Sequence, residues 1–240
     1  MQQQQDLEQG AAREAQAEAL LSGKAWEDFC DRLKAAGRFV QAVDSIDRER
    51  DIAEGYRYLT RLARMGLGMI LENGTPAAPS LLYQDPTLKS GGDNPDNMYY
   101  WGRIRGRHSY RLDIGLKPNV DLSVIVYAGG LNKDGGRRTV GELTLADLEV
   151  DAGGCATVWL GGEPREGNWL ALAEDAGTLL IRETVADRRR ANPSKFALSC
   201  LDGHPPPPLT PLEMAKSLRS VSGFVDYSIR YFSEMAGKWQ

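Results

Sequence analysis

Histidine and cysteine are both scarce. The 240-residue chain has only His108 and His204, and its three cysteines, Cys30, Cys155 and Cys200, are far apart. No C-x-x-C occurs and no histidine pair stands near a thiol, which argues against a disulfide framework and against a zinc site. A histidine-based catalytic triad has almost nothing to work with. Polar chemistry therefore falls to Asp, Glu, Lys, Arg and Tyr. A basic excess is also lacking: the formal net charge of −4 offers no field to draw the chain onto nucleic acid or anionic lipid. No run approaches the roughly 20 apolar residues of a membrane span, and the N-terminal MQQQQDLEQG is polar where a secretory leader is basic and then apolar. The expectation is a cytoplasmic protein with neither nucleic acid nor membrane as partner. Neither G-x-x-x-x-G-K-[ST] nor a strand-to-helix G-x-G-x-x-G is present, so no nucleotide is expected, nor any other cofactor.

What is present changes period along the chain. Residues 1–23 are rich in Gln, Ala and Glu, and read as a mobile arm. Trp26, Phe29, Leu33, Phe39 and Val40, then Ile52, Tyr56, Leu59, Leu62 and Ile70, recur at helical spacing and predict a helical hairpin over 24–78. Asp44-Ser45-Ile46-Asp47 supplies caps between the two helices, and Asn73-Gly74-Thr75-Pro76 ends the second. From residue 97 the period is two: Met98, Tyr100 and Ile104 share one face, Tyr99, Trp101 and Arg103 the other. Further alternating runs at 110–114, 122–127, 140–145, 148–150, 156–160 and 179–185, separated by Gly- and Asp-rich turns, predict an antiparallel sandwich or barrel within 79–203. The tract from His204 to Pro208 acts as a stiff spacer. It leads to Thr210-Pro211-Leu212-Glu213, a helix start, so 204–240 is read as spacer and C-terminal helix.

Candidate chemistry clusters in a few stretches. In GGDNPDN, Asp93, Asn94, Asp96 and Asn97 are either local Asx-turn residues or oxygen donors to a polar ligand or a divalent cation. Lys89 just before them neutralises a bound anion or pairs with Asp85. Tyr99, Trp101 and Arg103 either line a pocket or pack under a covering element. Glu183 falls on the apolar stripe of Leu179, Ile181 and Val185, where desolvation would fit it for acid/base work unless a cation such as Arg182 or Arg103 pairs with it. Asn168 and Trp169 follow a flexible loop and offer an amide and an indole donor, or else plug the end of the sheets. The basic run Arg188-Arg189-Arg190 suits a solvated strand end or an acidic ligand.

Asn94-Pro95-Asp96-Asn97-Met98-Tyr99 and Asn168-Trp169-Leu170-Ala171-Leu172-Ala173, the latter followed by Leu179-Leu180-Ile181-Arg182-Glu183, resemble the N-P-D-T-L-Y and N-W-L-P-A-P blocks of a bacterial family of paired domains of unknown function, numbered 1254 and 1214. The likeness covers roughly residues 90–190. Asn97 stands where the family has Thr, and the loop's two prolines are absent. The resemblance implies a jelly-roll-like β-sandwich flanked by helices and implies no reaction.

The fold expected is therefore α+β: an antiparallel, jelly-roll-like β-sandwich with an N-terminal helical hairpin and a C-terminal helix. The leading functional expectation is a cofactor-independent lyase, isomerase or hydrolase acting on a largely apolar small molecule. Asp96 or Glu183 would be its acid/base, Arg103 and Lys89 would hold or polarise substrate, and Tyr99 would hydrogen-bond it. Trp101 and Trp169 would form the walls, and Asp93, Asn94, Asn97, Asn168 and Arg182 would complete the binding surface. Two alternatives stay open. One is a non-catalytic binding or interaction protein whose helices self-associate; the other is a Mg²⁺-dependent enzyme built on the Asp93/Asp96 turn.

Overall fold

The change from helical to alternating spacing marks the main division of the chain. The computed structural model describes residues 2–42, 47–85, 87–88, 90–92, 94–118, 120–130, 136–187, 193–203, 205 and 208–238. It divides into two units, one of residues 1–72, 88–92 and 207–240, the other of 73–87 and 93–206.

The first unit is helical. Helices α1 (Gln2–Leu21), α2 (Lys24–Ala42) and α3 (Arg48–Gly66) are followed by a π-helical turn, Leu67–Glu72, and completed by α4 (Pro211–Gly237). The apolar spacing read in the sequence is the one that packs: Ala36 and Val40 of α2, Leu62 of α3, and Val225 and Ile229 of α4 form one buried cluster. Phe29, Leu218 and Val221 form a second. One expectation is corrected. The stretch 1–23 is not a mobile arm but carries α1, a run of good helix formers that packs along α4 and adds Leu20 to the second cluster. Helix α4 packs against α1, α2 and α3 and covers an apolar face that the hairpin alone would leave bare. Its start is as expected: Thr210 Oγ1 accepts from the Glu213 N–H at 3.2 Å while Glu213 Oε2 accepts from the Thr210 N–H at 3.0 Å, around Pro211. Gly91 packs directly on Phe232 of α4, at a spot where a Cβ would lie 2.1 Å from the ring. The first part of the GGD stretch is thus a helix-packing device. Of the caps read between the first two helices, Asp47 accepts from the Arg50 N–H at 3.4 Å; residues 44–46 lie outside the described residues.

The second unit begins at residue 73, not 79, because Gly74 turns the chain into a two-stranded ribbon, β1 (Gly74–Thr75) and β2 (Ala78–Pro79). Gly74 has φ 65° and its Cβ position would meet the Ala78 carbonyl oxygen at 2.5 Å, so only glycine fits there. The remaining strands are β3 (Leu81–Gln84), β4 (Asn97–Arg103), β5 (Tyr110–Gly115), β6 (Val120–Gly129), β7 (Arg137–Thr144), β8 (Cys155–Leu160), β9 (Trp169–Leu170), β10 (Ala176–Val185) and β11 (Lys195–Cys200). They form a five-stranded sheet, β3-β4-β10-β6-β7, and a four-stranded sheet, β11-β5-β8-β9. Every pairing is antiparallel except β8 with β9. Residues 148–150, expected as a strand, instead follow a short 3₁₀ turn, Leu145–Asp147.

Both sheets contribute to one core: Leu122, Val124, Val126, Leu179 and Ile181 from the first, Tyr110, Leu112, Ile114, Val158, Leu160 and Leu198 from the second. The alternation of β4 holds, since Tyr100 packs on this core while Tyr99 and Trp101 join Ile125, Tyr127 and Leu180 in a separate cluster on the other face. The chain is α+β.

Candidate functional site

Strand register decides which candidate residues meet. Arg182 of β10 lies opposite Tyr99 of β4 and Ser123 of β6, and Leu180 lies opposite Trp101 and Ile125. Opposed residues share a face of a sheet. The face turned away from the two-sheet core therefore presents Tyr99, Trp101, Ile125, Tyr127, Leu180 and Arg182 together. Arg137, at the start of β7, lays its guanidinium over Tyr127 at 4.2 Å and over Trp101 at 5.5 Å. The Trp101 indole is held by the buried Gln84, whose Oε1 accepts from Nε1 at 2.8 Å.

The Asn/Asp stretch before β4 acts on this face through Tyr99. Asn94 Oδ1 accepts from the Asp96 N–H at 2.9 Å, an Asx turn, and the Asn94 carbonyl accepts from the Asn97 N–H at 3.2 Å. The Asn94 N–H and Asn97 Nδ2 both donate to Tyr99 Oη, at 3.3 and 3.2 Å. Asn97 is itself buried and fixed by Thr184, whose hydroxyl donates to Oδ1 at 2.8 Å. A phenol oxygen has two acceptor positions and one donor proton. With both acceptor positions taken, the Tyr99 proton is left to donate outward. Beside it the Arg182 guanidinium stands 5.9 Å from the Tyr99 ring, and its Nε is buried with no hydrogen-bond partner. Two donors on an aromatic floor suit a carboxylate or similar anionic tip.

Glu183 does not join Tyr99, Trp101 and Arg182 on this face. Glu183 is fully buried on the opposite, core-facing side of β10, its neighbours across the ladder being Met98 and Leu122. Its Oε1 accepts from the Ser194 N–H at 2.9 Å, and Oε2 has no hydrogen-bond partner. Burial, with Glu183 adding to it, pushes the Tyr100 phenol above its ordinary range. Neither arginine offered as a partner reaches this carboxyl group. Arg182 follows strand alternation onto the other face, and Arg103 pairs with Thr178, five residues or about 17 Å further along β10. Arg103 instead donates to the Gly74 carbonyl at 3.4 Å. Asp96 is exposed, and its side chain makes no hydrogen bond among the described residues. Its backbone carbonyl accepts from Val185.

Asn168 has a structural role. Its Oδ1 accepts from the Glu149 N–H at 2.7 Å and its Nδ2 donates to the Glu149 carbonyl at 2.9 Å, so it straps a loop rather than presenting an amide. Trp169 sits in β9 with its Nε1 donating to the Gly161 carbonyl at 3.1 Å. Lys89, Asp93 and the arginine run 188–190 lie outside the described residues.

One grouping escaped the sequence reading. His108 in the β4–β5 turn, Cys200 at the end of β11 and Asp202 just beyond it bring an imidazole nitrogen, a thiol and a carboxylate within 4.8 Å of one another. Among the described residues no other three His, Cys, Asp or Glu side chains meet in this way. Spacing alone could not show it, since 92 residues separate His108 from Cys200. The one available signal was the use of a rare histidine in a turn and a C-x-D at a strand end.

No protein-family model matches the chain, and no curated protein matches it. Among solved structures, an uncharacterized protein from Burkholderia cenocepacia is similar over 91% of this chain, with 36% identity and a TM-score of 0.85. A protein from Vibrio parahaemolyticus aligns over 67% of this chain and 47% of its own, with 16% identity and a TM-score of only 0.34. No helix among the described residues is long and apolar enough to cross a membrane. The chain spans 61% of the length of the Burkholderia protein, with which it shares its α+β fold.

Proposed function

We propose that the sheet unit is a jelly-roll-like β-sandwich of the 1254/1214 type, acting in the cytoplasm as a binding module for a largely apolar small molecule with an anionic tip. The reading rests chiefly on the pair of free donors, the Tyr99 hydroxyl proton and the buried Arg182 Nε, beside the aromatic surface of Tyr99 and Trp101. A carboxylate on a hydrophobic body would accept from the Tyr99 hydroxyl and, after a shift of the Arg182 side chain that exposes its buried Nε, pair with the guanidinium while its apolar part lay along the aromatic strip. Binding is preferred to catalysis because the buried carboxyl group, Glu183, faces away from these donors. The enzyme reading now rests on Glu183 Oε2 alone, an unpartnered acceptor inside the core.

Titration calorimetry with a graded series of alkyl and aryl carboxylates, each paired with its neutral amide, tests this. Carboxylates should bind and their amides should not. Tyr99→Phe and Arg182→Gln should each weaken binding about tenfold or more, as loss of a charge-assisted hydrogen bond does. Equal affinity for acid and amide, or indifference to both substitutions, would overturn the proposal.

A further inference from the structure

We propose that His108, Cys200 and Asp202 form a binding site for a zinc-class divalent cation. The ladder explains why these residues meet. Cys200 is the last β11 residue, paired with Tyr110 at the start of β5, and the Leu201 N–H donates to the Ser109 carbonyl at 2.8 Å. That bond turns the chain so that Asp202 Oδ1 accepts from the Ser109 N–H at 2.8 Å. Asp202 Oδ2 then lies 3.1 Å from His108 Nδ1, and Cys200 Sγ lies 3.6 Å from Oδ1. A tetrahedral centre with metal–N and metal–O bonds of about 2.0 Å and a metal–S bond of about 2.3 Å needs donor atoms roughly 3.3–3.6 Å apart. The two measured separations, 3.1 and 3.6 Å, are to the two different oxygens of Asp202, and the three donor atoms all lie within 4.8 Å of one another, so a side-chain adjustment is needed to bring one oxygen to both partners.

A simple His–Asp ion pair would account for the Nδ1–Oδ2 contact. The thiol directed at the same carboxylate donates a local S–H···O hydrogen bond at 3.6 Å, and it adds a third donor of zinc-binding type to the pair. Thiolate, imidazole and carboxylate together suit zinc better than magnesium or calcium, which prefer all-oxygen surroundings. The His108 side chain is 16% exposed and that of Asp202 48%, so the cluster opens to solvent on one side, leaving a fourth position to water. On binding, the Cys200 S–H proton passes to solvent and the sulfur bonds to the metal.

Co²⁺ titration of the full chain, previously stripped with chelator, tests the site. The expected result is one equivalent bound, a sulfur-to-cobalt charge-transfer band, and displacement by Zn²⁺. Cys200→Ser should abolish the band and weaken affinity at least about tenfold, and Asp202→Asn and His108→Gln should weaken it similarly. Asp202→Asn keeps an acceptor for the Ser109 N–H, so it serves if Cys200→Ser fails to fold. Cys30→Ser and Cys155→Ser should leave the band in place. Absence of the band, its survival in Cys200→Ser, or its loss in Cys155→Ser or Cys30→Ser would overturn the proposal.

Discussion

Glu183 offers the sharpest test of whether a residue serves stability or chemistry. Replacement by Met nearly conserves volume at a fully buried position, so no large cavity opens and overpacking is minor. The substitution removes the acceptor of the Ser194 N–H, whose residue is only 5% exposed; orphaning that donor costs about 1–3 kcal/mol. It also removes Oε2, an acceptor buried without a partner, which returns a similar amount, about 1–3 kcal/mol. The terms nearly cancel, and the Met variant should unfold within about 1 kcal/mol of the parent. Glu183→Ala, in contrast, leaves a void in the core and should lose roughly 2–5 kcal/mol. Urea unfolding followed by tryptophan fluorescence is suited to this, because Trp101, Trp159 and Trp169 all lie in the sheet unit. A loss above about 3 kcal/mol in the Met variant, at unchanged m, would refute the cancellation and make the carboxyl group a structural anchor for the Ser194 segment. Near-neutrality would leave Glu183 as a group the fold does not require.

The Asx turn gives a paired prediction. Asp96→Asn should be silent by urea unfolding, whereas Asn97→Ala should cost about 1–3 kcal/mol, because it removes the buried amide that links Tyr99 to Thr184; the reverse order would mean that the Asp96 charge supports the turn. Alkaline pH should destabilise the sheet unit through Tyr110. Burial is the main cause that raises its phenol to about 12, from an ordinary value near 10, so the folded form holds its proton where the unfolded form has lost it. Its contribution is intact below pH about 10 and declines between about 10 and 12, and Tyr110→Phe, measured in parallel, should lessen that decline.

The helical and alternating periods were legible because each reflects one buried face per element. Most of the apolar residues of α2, α3 and α4 found cores, although Trp26, Tyr56 and Tyr231 stay exposed, and β4 kept the faces its alternation implied. Local chemistry was legible too: the Thr210-Pro211-Glu213 start is built from residues within reach of their own backbone, and so is the Asx turn, in which Asn94 is the acceptor.

What only the tertiary structure decided is which elements meet. Helix α4 joins the N-terminal helices because an apolar face must be covered by another, and nothing in a single helix names its partner. The two-residue side-chain period put Arg182 and Glu183 on opposite faces of one strand, and pairing register then joined Arg182 to Tyr99 and separated Glu183 from Arg103. A separate register, that of β5 with β11, carried Cys200 and Asp202 to His108 across 92 residues of sequence, a closeness invisible to any local spacing.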